Sequence, residues 1–109
     1  MNGDTIIYRP RKPQNDPPSK GDVCKCVLRG GGLTETFYAV VLAISADSVS
    51  VMKLYKDDAL TSRYLIRDVG PTGLEYAMFV DSRIIKLSRS SIGMRVGRLS
   101  KMDLRNIRV

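Results

Sequence analysis

The chain has 109 residues, room for one domain and little more. Its content of 43% hydrophobic and 27% charged residues is that of a globular protein, and no apolar run reaches the roughly 18–20 residues needed to cross a bilayer. The formal net charge is +7, histidine is absent and there are two cysteines, so any chemistry proceeds without imidazole and without a metal cluster of His, Cys and carboxylates.

Residues 1–20 contain Pro10, Pro13, Pro17 and Pro18 among Asn, Asp and Gly, and read as a flexible proline-rich arm. Within it, residues 5–8 could form at most a short edge strand. No apolar core of a signal peptide is present there, because Arg9 follows TIIY at once; this points to a cytoplasmic protein. A folded domain is expected over residues 21–109.

Residues 22–28 alternate as a strand, with Cys24, Cys26 and Leu28 on one face. Thiols two residues apart on a strand point the same way but cannot close an ordinary disulfide. They read as two small apolar residues on a core face. Gly30, Gly31 and Gly32 predict a mobile loop rather than a tight two-residue hairpin. It is no phosphate loop, since no Gly-Lys-Ser/Thr follows and the next element is a strand.

Residues 37–44, FYAVVLAI, predict a central strand, and residues 48–55 pair with it through a short polar turn. A shorter strand is expected over residues 62–69, then a turn at Gly70-Pro71-Thr72-Gly73, then strands over 76–80 and 84–87. Residues 88–93 suit one helical turn, and residues 94–99 return to strand alternation. Ser100 with Asp103 three residues on resembles a capping box, with Asp in place of the usual Glu. It should open a two-turn helix over residues 101–108, with Leu99, Met102 and Asp103 packed inward. Six or seven short strands with one terminal helix imply a mainly β fold, a small antiparallel barrel.

The charge is unevenly placed. Residues 83–109 hold Arg83, Lys86, Arg89, Arg95, Arg98, Lys101, Arg105 and Arg108 against Asp103 alone, so this quarter of the chain carries the whole net charge. Ile84, Ile85, Leu87, Ile92, Met94, Val96, Leu99, Met102, Leu104 and Ile107 run through it, so the stretch is folded structure with a basic face. Such a face attracts polyanions, or it simply keeps a small protein soluble.

Three segments give the chain a resemblance to a known family. They are Gly21-Asp22-Val23, residues 37–44, and residues 81–104 with Val96-Gly97-Arg98-Leu99-Ser100 and Asp103-Leu104. In order and character these resemble the MazF/PemK toxins of bacterial toxin–antitoxin systems, over residues 20–106. The resemblance implies an SH3-like barrel with one short C-terminal helix that dimerises. It also implies a metal-independent endoribonuclease acting on single-stranded RNA, with no cofactor and with an acidic antitoxin protein as partner. In this family the ribose 2′-OH attacks the adjacent phosphate, a step that suits a chain without histidine, because guanidinium can stabilise the developing charge. The family's Arg-Pro pair falls here on Phe37 and Tyr38, its Ser/Thr near Tyr55, and its sixth-strand Arg on Ile85, two residues from Arg83.

Chemistry then singles out Lys53, Tyr55 and Arg83 as candidate catalytic residues. A Lys supplies charge to a phosphate, a Tyr moves a proton or stacks a base, and an Arg clamps phosphate. Each has a plainer reading: a surface Lys, a half-buried Tyr, and a salt bridge between Arg83 and Asp81. Arg29, Tyr38, Lys86, Arg89, Arg95 and Arg98 are candidate RNA-binding residues. The reading from a different class is a non-catalytic barrel that binds nucleic acid or an acidic protein.

Overall fold

A computed structural model of the chain describes residues 17–58 and 61–107. Most of the expected N-terminal arm, including residues 5–8, lies outside the described residues, as does Arg108. The elements are β1 (Asp22–Gly30), β2 (Leu33–Ile44), β3 (Ser48–Tyr55), β4 (Ser62–Leu65), β5 (Phe79–Asp81), β6 (Ile85–Ser88), β7 (Ile92–Arg98) and α1 (Lys101–Ile107). The fold is mainly β, and every strand pairing is antiparallel. The order is β4-β5-β3-β2-β1-β7, with β6 also beside β3.

β3 organises the sheet. One side pairs with β2, while the other pairs first with β6, Val51 opposite Ile85, and then with β5, Leu54 opposite Val80. Its alternation buries both faces. Met52 and Leu54 join Val23, Val40, Ile66, Val80, Leu99 and Ile107 in one core; Val49 and Val51 join Cys24, Cys26, Ala39, Val41 and Leu87 in another. Slips in register between Val41 and Ala43 of β2, and along β1 where it meets β7, let the sheet curl between these cores.

The curl does not close, so the strands form an open, curved antiparallel sheet that matches the expected small barrel only loosely. β4 and β7 end the strand order without pairing to each other. Between them lies a 3₁₀ turn, Gly70–Thr72, whose backbone reaches β7 where only glycine fits. A Cβ on Gly73 would overlap the Val96 carbonyl, and one on Gly97 would overlap the Thr72 backbone. Below the turn, α1 places Ile107 and Leu104 against the first core.

Several expectations need correction. The glycine run is a tight hairpin after all: Gly30 pairs with Leu33, and Gly31 and Gly32 take φ of 57° and 80°. Positive φ at both central residues is what a two-residue type I′ turn demands. β4 stops at Leu65 because the N–H groups of Arg67 and Asp68 donate to the Asp103 carboxylate, at 3.2 and 2.9 Å, instead of to a strand. β5 begins only at Phe79, although the Met78 carbonyl still accepts from the Ile66 N–H at 3.1 Å. Ser100 caps α1 as expected, its Oγ accepting the Asp103 N–H at 3.1 Å. Met102 points outward, 62% exposed, rather than inward.

Candidate nucleic-acid interface

The predicted catalytic residues separate into two clusters on either side of β3. Lys53 sits opposite Ala39 of β2, and its ammonium donates to Glu35 at 2.7 Å while lying 4.5 Å over the Phe37 ring. Its charge is thus already spent on a carboxylate and an aromatic face. Tyr55 and Arg83 converge elsewhere, on Asp81 at the end of β5. The Tyr55 hydroxyl donates to Asp81 Oδ2 at 3.1 Å. The Arg83 backbone N–H donates to Oδ1 at 3.0 Å, and its guanidinium to Oδ2 at 2.9 Å.

Asp81 is buried and Arg83 is not; their side chains are 2% and 62% exposed. Burial alone would raise the Asp81 carboxyl, but hydrogen bonds from Arg83, Thr61 and Tyr55 outweigh it and hold the group well below the usual carboxylate range. The carboxylate stays ionised, and it raises the already basic Arg83 further. This cluster holds a guanidinium rigidly at the surface beside a phenol.

The predicted binding residues are distributed. Arg29 is exposed on the β1–β2 hairpin, opposite Thr34. Lys86 is exposed on β6, and Arg89 opens the 3₁₀ turn Arg89–Ser91, where its guanidinium donates to the Ser45 carbonyl at 3.2 Å. Arg95 and Arg98 serve the fold. Both reach the fully buried Asp22, Arg95 at 3.0 Å and Arg98 at 3.4 Å, while Asp22 also accepts the Ser19 N–H at 2.7 Å. Lys101 and Arg105 are exposed on α1. The basic stretch therefore runs from β6 beside β3, across β7 beside β1, to the helix, and does not form a single flat face.

Tyr38 is half-buried and packs on the first core, in a cleft that the sequence did not reveal. Its other walls are Gly73, Leu74, Glu75, Tyr76 and Met78. Residues 76–78, expected as strand, instead lie between the turn and β5, and that leaves Tyr76 45% exposed at the cleft. The adjacent Gly-Pro-Thr-Gly turn was the available signal. Among the described residues no cluster of His, Cys, Asp and Glu could hold a metal ion. No described helix is long and apolar enough to cross a membrane.

No family model matches the chain, and no curated protein matches it either.

Proposed function

We propose that the protein binds single-stranded RNA. One observation carries this reading: Lys86, Arg89, Lys101 and Arg105 are exposed and, among the described residues, form no ion pair. Cations left unpaired at a surface attract a polyanion. Because these cations lie on separate elements, β6, the 3₁₀ turn and α1, rather than on one flat face, a flexible single strand fits them better than a stiff duplex.

The cluster of Tyr55, Asp81 and Arg83 favours a second reading, in which the bound RNA is also cut without metal. The 2′-OH oxygen would bond to the adjacent phosphorus as its proton passes to water, the bond from phosphorus to the 5′ oxygen would break, and that oxygen would take a proton from water and leave as a hydroxyl. Arg83, fixed by Asp81, would stabilise the charge on the phosphoryl oxygens. Resemblance to the MazF/PemK toxins supports this reading; the pairing of Lys53 with Glu35 does not.

A varied-sequence RNA pool incubated with protein in excess EDTA tests both. Retention of RNA by wild-type protein, weakened when Lys86 and Arg89 are changed to Ala, is the expected result. Fragments with cyclic phosphate ends, formed about 10²–10³ times more slowly by Arg83→Ala, would add the enzyme reading. RNA that is bound but left intact would remove it, and no binding would remove both.

A further inference from the structure

We infer that the cleft between Tyr38 and Tyr76 is a slot for one unpaired base of the bound strand, and that Glu75 selects guanine. This rests on the single-stranded RNA reading.

Two phenol rings line this cleft, which suits it to a flat aromatic ligand. Every base has a π-face that stacks on such side chains. A cation accompanies them: Lys56 lies 5.7 Å over the Tyr76 ring, where it can meet the phosphate of a stacked nucleotide. The wall is rigid before anything binds. Thr72 is fully buried, its hydroxyl donates to the Val69 carbonyl at 2.6 Å and accepts the Leu74 N–H at 3.1 Å, and Gly73 is wedged against Val96. A preformed wall spares the ordering cost of binding.

Glu75 supplies the selectivity. A carboxylate repels phosphate, so within a basic protein its presence on the cleft wall marks a place for hydrogen-bond donors. Guanine alone among the four bases carries two adjacent donors on its Watson–Crick edge, N1–H and the N2 amino group, and these match the two oxygens of a carboxylate. Adenine and cytosine offer only an amino group there, and uracil one N–H.

The test uses the full chain and pentamer RNAs of uridine with a central guanosine, adenosine or inosine, measured by fluorescence anisotropy. Wild-type protein should prefer the guanosine oligomer, with inosine weaker because it lacks the N2 amino group. Tyr76→Ala should weaken that oligomer about tenfold. Glu75→Gln should bring the guanosine oligomer down to the level of adenosine. Both residues are exposed, so neither variant threatens the core. RNA binding that Tyr76→Ala and Glu75→Gln leave unaltered would overturn the slot while the RNA reading stands. Absence of binding to every oligomer would overturn both.

Discussion

Three buried carboxylates show how single residues hold this fold. Asp22, Asp81 and Asp103 are each at most 2% exposed, and Asp103 ties together segments that no strand pairing joins. Asp103 is the widest bridge, since it accepts from the Tyr64 hydroxyl on β4 and from the N–H groups of Arg67 and Asp68, all some 35 residues or more earlier in the chain. Burial alone would raise its carboxyl; the hydrogen bonds from Tyr64, Asp68, Arg67 and Ser100 outweigh that and lower it from 3.8. Hydrogen bonds to charged groups contribute about 1.5–3 kcal/mol each, so Asp103→Asn should lower unfolding free energy by about 2–3 kcal/mol at neutral pH. A depressed pKa in the folded state means that this stability is present above the unfolded value and is lost as pH falls through the folded one. The gap between wild type and Asp103→Asn, measured by urea denaturation, should therefore narrow below about pH 4. The two thiols run the other way. Burial pushes Cys24 up to about 12, helped by the nearby Cys26 and Asp22, and pushes Cys26 up to about 11. Neither should react with a disulfide reagent in the native protein at mildly alkaline pH, and both should react once the chain is unfolded. Their contribution to stability should fall as pH rises past the ordinary thiol value of 9.0 toward 11 and 12.

The β1–β2 hairpin is the element with least support. β7 leaves β1 at Cys26, opposite Ile92, and β3 leaves β2 at Ala39, opposite Lys53; beyond those points the two strands pair only with each other. Residues 28–36 are all exposed. A two-stranded ribbon is marginally stable in water. Hydrogen exchange should thus be faster at the strand-paired amides of residues 28–35 than at those of Val40, Val41 and Met52, where β2 and β3 run through the core. Here the sequence was half legible. The alternation of Cys24 and Cys26 and the apolar run of residues 37–44 placed both strands, but three glycines in a row hide the register that turns two of them into a tight turn. β4 was misjudged for a different reason. Residues 66–69 carry strand-like side chains, yet Asp103 captures their backbone donors, and a contact between residues so far apart leaves no local trace.

At the scale of the whole molecule, sequence reading found the mainly β fold, the helix beginning at Lys101 and the charge imbalance. It did not find that Arg95 and Arg98 answer a buried carboxylate, because Asp22 stands more than seventy residues away. Nor did it find the cleft at Tyr76, which exists only because the Gly70–Thr72 turn docks on β7. The cations left at the surface after these pairings include those of β6, the 3₁₀ turn and α1. If they bind RNA, the affinity must depend on salt, because each neutralised phosphate releases counterions. The most direct measurement is the affinity for a single-stranded RNA followed from low to moderate salt. Contacts from Lys86, Arg89, Lys101 and Arg105 predict a log–log slope of about −3, at about −0.7 for each. Loss of Lys86 and Arg89 should flatten the slope by about half. An affinity indifferent to salt, or no measurable binding at low salt, would contradict the account.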